Sequence, residues 1–229
     1  MIKVTYIQHS SFLIELDHHV LLFDYAQGTL PAWAKEKPLY VFVSHAHGDH
    51  FTPAIFQLPA KAFLLGFELD GDERIHSLQA HEQMVLDDLC ISTFFSTDEG
   101  VAFLIECEGQ RIYHAGDLHH WHWMDDEEVQ VQWMKDHFEQ EMHRLAPYEP
   151  TIAFVVLDPR LEESKEEGIE IFYSLVKAKD VFPMHLWGDY ALAKWYKEKY
   201  GRTNLHIYDT EGTQYVWDEC QCGEKVKNK

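Results

Sequence analysis

Residues 44–50, Ser44-His45-Ala46-His47-Gly48-Asp49-His50, place three imidazoles and one carboxylate within six consecutive positions of a 229-residue chain. The run follows directly on Leu39-Tyr40-Val41-Phe42-Val43, an apolar stretch with the length and composition of a buried strand. At the end of such a strand, His45 and His47 can converge on one ion if the chain bends between them. Asp49 and His50 then face across the turn toward a neighbouring ion. Gly48 permits the tight backbone that this requires. Imidazole and carboxylate together suit Zn²⁺, and also Mn²⁺, Fe or Ni²⁺.

Three more residues have the right type and setting to join the set. Asp117 follows Tyr113-His114-Ala115-Gly116, where a strand runs into a glycine turn, and a carboxylate there can bridge two cations. His185 closes the strand-like Val181-Phe182-Pro183-Met184, and Asp98 follows another strand at Ser96-Thr97. The run Leu118-His119-His120-Trp121-His122-Trp123 is a candidate pocket wall, with His119 and Trp121 as candidate substrate contacts. Arg160, just past a buried strand, is a candidate to grip a phosphate or carboxylate bidentately. His9, between the first two strands, is a candidate for a pocket role or for supporting a ligand.

The elements that must position these residues are short strands in the first half: 3–7, 11–16, 20–24 and 40–44. Around 53–57 a helix is expected, capped by Thr52 and opened by Pro53. The second half repeats the pattern, with strands at 90–95, 101–106 and 111–114. Helical spacing of Val131, Met134, Phe138, Met142 and Leu145 predicts a helix over 125–146. A strand at 151–157, a helix at 167–179 and a strand at 181–184 follow, then a helix at 190–200 ended by Gly201. Closing strands at 205–208 and 214–217 lead into a polar tail of about 218–229. With no linker rich in Pro, Gly or Ser, the chain reads as one α/β domain of two sheets with helices outside.

Composition narrows the partners. With 39 Asp and Glu against 19 Lys and Arg, the net charge of −20 disfavours nucleic acid, which needs a basic footprint. No apolar run approaches the ~20 residues of a membrane span, and the start lacks a signal-peptide layout, so a cytoplasmic protein is expected. Four scattered cysteines, Cys90, Cys107, Cys220 and Cys222, read as reduced thiols. A small-molecule substrate is the expected partner, and a homo-oligomer is compatible with the sequence.

The His-X-His-X-Asp-His motif at 45–50, the strand-Gly-Asp element at Asp117 and the strand-His element at His185 resemble, in their order, the metallo-β-lactamase fold superfamily. The compact length and the Leu22-Phe23-Asp24 start are similar to the subgroup that includes ascorbate-6-phosphate lactonase. The resemblance covers essentially the whole chain. It implies a four-layer αβ/βα sandwich with one or two divalent metal ions, Zn²⁺ foremost. It also implies that His45 and His47 hold the first ion, that Asp49, His50 and His185 hold the second, and that Asp117 bridges them. The family normally adds a histidine before the strand at 101–106, but this chain reads Phe95-Ser96-Thr97-Asp98-Glu99-Gly100 there. Either Asp98 or a Ser96 or Thr97 hydroxyl substitutes, or a single metal suffices.

A metal-activated water, oriented and deprotonated by Asp49, would hydrolyse an ester, lactone or phosphodiester without a protein nucleophile. Two other functions compete with this one: a metal-dependent ribonuclease, since relatives of the fold cut RNA, and a metal-binding protein without catalysis.

Overall fold

The computed structural model describes residues 1–217 and the backbone of 224–226. Along the chain run β1 (Ile2–Gln8), β2 (Ser11–Glu15), β3 (Val20–Phe23), β4 (Leu39–Val43), β5 (Ala60–Leu65) and β6 (Ile75–Ser77). Next come β7 (Gln83–Leu86), β8 (Leu89–Phe95), β9 (Val101–Cys107), β10 (Gln110–His114) and helix α1 (Glu128–Leu145). The remainder is β11 (Ile152–Val156), α2 (Glu167–Leu175), β12 (Asp180–Met184), α3 (Tyr190–Tyr200), β13 (Gln214–Trp217) and β14 (Glu224–Val226). The described residues divide into two compact units, one of residues 1–79 with 208–217 and 224–226, the other of residues 80–207.

In the first unit the strands form one sheet in the order β14-β13-β1-β2-β3-β4-β5-β6. Pairing is antiparallel from β14 to β3 and parallel from β3 to β6. Alternate residues along the strands (Leu13, Leu22, Val41 and Phe63 among them) gather in one core cluster, as the two-residue period of a strand requires. A short 3-10 helix at Pro53–Gln57 buries Ile55 in that cluster, and Trp33 and Phe56 pack against it. Thr52 is extended and makes no side-chain cap; the turn closes instead through its carbonyl, which accepts from the Ile55 N–H at 3.1 Å.

The second unit carries a six-stranded sheet, β12-β11-β10-β9-β8-β7, parallel from β10 to β12 and antiparallel from β10 to β7. Helix α1 starts at Glu128, not 125, because Glu127 and Gln130 form a reciprocal capping box. Its stripe buries Phe138, Met142 and Leu145, while Val131 and Met134 stay half-buried. Helix α2 packs on α1 and β11 and ends at Leu175, four residues short of the expected 179. The Lys179 and Asp180 N–H groups donate to the Pro150 and Thr151 carbonyls, so sheet pairing takes over where the helix would have continued. The expected strand at 205–208 reduces to one bridge, Leu205 to Val181. The α/β class is as expected, with two mixed sheets and helices. The proposed polar tail lies outside the described residues except at 224–226, where β14 pairs with β13. Among the described residues no helix is long and apolar enough to cross a membrane.

Candidate metal centre

In each unit the chemistry-bearing residues sit just past the carboxyl ends of parallel strands, where open α/β sheets place their ligands. In the first unit β3 and β4 run side by side, and the Asp24 N–H continues the ladder to the Phe42 carbonyl at 2.9 Å. The Asp24 carboxylate accepts from the Ser44 N–H (2.7 Å), the Ser44 hydroxyl (2.7 Å) and His50 Nδ1 (2.7 Å). A carboxylate only accepts, so His50 carries its proton on Nδ1 and keeps a lone pair on Nε2. The Ser44 hydroxyl spends its one proton on Asp24, so His45 Nδ1, 2.9 Å away, donates to Ser44 Oγ and also leaves Nε2 as a ligand atom.

The loop closes through the His47 carbonyl, which accepts from the His50 and Phe51 N–H groups at 3.0 and 2.9 Å. That turn brings His45, His47 and Asp49 together, each with a ligand atom within 4.8 Å of the other two. His45 is buried, Asp49 half-buried and His47 exposed, a set open to solvent on one side. Gly48 does not adopt a left-handed conformation, and a Cβ there would meet nothing within 4 Å; the turn does not depend on a glycine. Asp49 lies 3.5 Å from His9 Nε2. The His9 imidazole beside it is the main reason its carboxyl is held well below the usual range, against the opposing effect of burial. His9 itself (φ 52°) follows an irregularity in the β1–β2 pairing, and its N–H donates to the Tyr6 hydroxyl at 2.9 Å. Asp24 (φ 43°) is left-handed as well, a conformation that costs of order 1 kcal/mol and clusters at functional sites.

In the second unit, β10, β11 and β12 are parallel neighbours, and Asp117, Asp158 and His185 lie beyond their respective ends. His185 Nε2 is 2.7 Å from Asp117 Oδ1, and its Nδ1 is 3.4 Å from Asp158 Oδ2. An imidazolium would donate to both carboxylates, whereas a neutral imidazole has a proton for only one of them and offers its other nitrogen as a ligand atom. In the neutral form the imidazole and carboxylate are a donor set that fits a divalent cation. His185 (φ 65°) and Trp187 (φ 49°) are both left-handed. Asp158 also accepts from the Trp187 indole at 3.1 Å and from Arg160 through Nε (3.0 Å) and Nη2 (2.6 Å). Burial alone would raise the Asp158 pKa, but His185 and Arg160 outweigh it and hold the group well below the usual carboxylate range.

Arg160 is therefore engaged by Asp158, with its guanidinium 4.3 Å from the Trp187 ring and 5.5 Å from that of Trp123. Trp121 is buried, its indole N–H donating to the Asp117 carbonyl at 2.9 Å, its ring parallel to Trp123 at 5.8 Å and equally far from His185. His119 is fully buried, with Thr97 Oγ1 bonded to both its N–H and its carbonyl. Burial pushes its imidazole down to about 3, so it stays neutral. Asp98 sits exposed in the turn after β8, its N–H donating to Ser96 Oγ at 3.3 Å.

A family model, the beta-lactamase superfamily domain, matches residues 3–131. The chain belongs to the metallo-β-lactamase superfamily. A UPF0173 metal-dependent hydrolase of Alkaliphilus metalliredigens is 27% identical over 139 residues, covering 50% of this superfamily member and 62% of that relative. The match thus spans less than two thirds of the relative's length. A metallo hydrolase structure from the archaeon Ignicoccus hospitalis aligns with a TM-score of 0.65 at 19% identity, covering 95% of this chain and 99% of that one. A structure from Parabacteroides distasonis, described as a metal-dependent hydrolase, aligns at 0.64 and 17%, covering 92% and 94%. At these identities the two structures bear on the fold.

Asp24 and Asp158, the carboxylates that orient His50 and His185, lie outside the His- and Asp-bearing motifs of the sequence. Asp24 directly follows buried β3 and Asp158 lies two residues past buried β11, a strand-end setting like that of Asp117.

Proposed function

We propose that this superfamily member is a metal-dependent hydrolase acting on an ester, lactone or phosphodiester bond of a small molecule. The convergence of His45, His47 and Asp49 ligand atoms within 4.8 Å carries the proposal. Metal binding is assigned to two ligand sets, each built within one unit: His45, His47, Asp49 and His50 in the first, Asp117 and His185 in the second. When bound, one or two divalent ions, Zn²⁺ foremost, supply a Lewis acid and an acidified water at neutral pH.

The chain's own residues do the rest. Asp24 and Ser44 fix the tautomers of His50 and His45, and Asp158 orients His185. Asp49, 3.5 Å from His9, is the acceptor that orients the attacking water and takes its proton. Trp121 and Trp123, with Arg160 beside Trp187, supply an aromatic surface with one cationic group, suited to a small and partly apolar substrate. A net charge of −20 weighs against a nucleic-acid substrate.

The test is metal analysis of protein purified without chelator, followed by assays with bis-p-nitrophenyl phosphate and simple lactones. Bound divalent metal and turnover that EDTA removes and Zn²⁺ or Mn²⁺ restores are expected, with Asp49→Ala and Asp117→Ala inactive but folded. Turnover that survives complete metal removal, or that persists in either variant, overturns the reading.

A further inference from the structure

We infer that His120, His122 and Glu167 form an accessory divalent-cation site, which takes Zn²⁺ and clamps the segment after β10 to the start of α2. None of its ligands belongs to the sets assigned above. Glu167 Oε2 lies 3.1 Å from His120 Nε2 and 2.9 Å from His122 Nδ1, and the three ligand atoms all fall within 4.8 Å of one another. Zn–N and Zn–O bonds of about 2.0–2.2 Å in tetrahedral array put ligand atoms roughly 3.3–3.5 Å apart, so only small side-chain shifts admit the ion.

Local chain geometry explains the convergence. His120 and His122 are two residues apart in a segment outside regular structure, and both reach Glu167. Trp121 between them turns the other way, its indole donating to the Asp117 carbonyl. Glu167 opens α2. Ser164 Oγ, 3.1 Å from His122 Nδ1, adds a hydroxyl at the edge of the cluster.

Two imidazoles and one carboxylate carry a net charge of −1 and leave a fourth position for water, a donor set that favours Zn²⁺ among common dications. His120 is 2% exposed, while the side chains of His122 and Glu167 are 31% and 44% exposed, so the cation has a path in from solvent. A bound ion would join residues 45 to 47 positions apart and hold Trp121 in its place beside His185.

The experiment uses the full chain carrying His45→Ala, His47→Ala, Asp117→Asn and His185→Ala together, which removes ligands of the proposed hydrolytic centre. Dialysed against Zn²⁺ and then gel-filtered, this variant is expected to retain one equivalent by mass spectrometry of the metal. Co²⁺ is expected to give a visible d–d band in it, and adding His122→Ala abolishes both. In the otherwise native chain, His122→Ala and Glu167→Gln each lower Zn²⁺ stoichiometry by one. Unchanged stoichiometry in those two single variants overturns the inference. So does a four-residue variant that is folded by circular dichroism yet binds no Zn²⁺. The hydrolase reading stands or falls separately, on turnover.

Discussion

Asp24 Oδ2 lies 2.7 Å from Nδ1 of His50, and both side chains are withdrawn from solvent. The pair makes Asp24 the residue that fixes which His50 nitrogen is available to a cation. Asp24→Asn keeps the size of the side chain but weakens the charge-assisted bond and forces a choice between donating and accepting. Loss of such supporting carboxylates typically costs 10–100-fold in metal affinity, and a drop of about that size is expected. Competition for Zn²⁺ with a chromophoric chelator measures it; affinity equal to the parent's would remove Asp24 from this role.

Asp158 has the matching position in the second unit, between His185, Arg160 and Trp187. Asp158→Asn is expected to cut kcat/KM for any hydrolysed substrate by about 10–100-fold while the fold survives. Arg160→Lys keeps the charge but loses the fork on Asp158, and a smaller decrease of the same kind is expected. Steady-state kinetics of both variants beside their circular dichroism spectra check this order.

Gly168 lies within α2, where alanine would ordinarily gain about 1 kcal/mol through helix propensity. Here a Cβ would stand 2.1 Å from His119 Cε1 and 2.6 Å from its Nδ1. The His119 ring is hemmed in by Trp121 and Phe138, at 5.1 and 5.7 Å between centroids. Overpacking then outweighs propensity, and Gly168→Ala is expected to lose about 1–3 kcal/mol in urea unfolding.

Glu15 receives Lys3 at 2.7 Å and Lys37 at 3.0 Å. Burial opposes ionisation, but the two ammonium groups prevail and lower its pKa from the ordinary 4.5. A carboxylate with a depressed folded pKa contributes stability above its unfolded pKa and loses it as pH falls through the folded value. The contribution is therefore expected in full at neutral pH and to fade on acidification below about 4.5. Glu15→Gln should lower stability by about 1 kcal/mol at pH 7. The difference from the parent should shrink toward pH 3 in denaturant titrations.

Cys107 is buried and its thiol is pushed up to about 12 by burial, whereas Cys90 is exposed. Iodoacetamide at pH 8 should label Cys90 in the native protein and spare Cys107 until unfolding, as read by peptide mass spectrometry. Equal labelling rates would contradict this arrangement.

The loop rich in His and Asp at 45–50 was legible in the sequence because its cues are local. An apolar run ending in His-X-His-X-Asp-His needs no distant partner to be recognised. The strands ending at Val43, His114 and Met184 were legible for the same reason. Less was visible where tertiary pairing competes with propensity. Helix α2 stops four residues before its expected end because sheet hydrogen bonds claim Lys179 and Asp180. Strand β5, unread in the sequence, becomes a strand by lying parallel between β4 and β6.

What the sequence determined by itself was the chemical type of the candidate site residues and their place at strand ends, since strand period and turn composition act over a few residues. What only the tertiary structure decided was which carboxylate serves which imidazole. Asp24 and His50 are 26 residues apart, Asp158 and His185 are 27, and Glu167 reaches back 45 and 47 residues to its two histidines. Separations of that size carry no periodicity; they are set by which strands run parallel and by where their carboxyl ends fall.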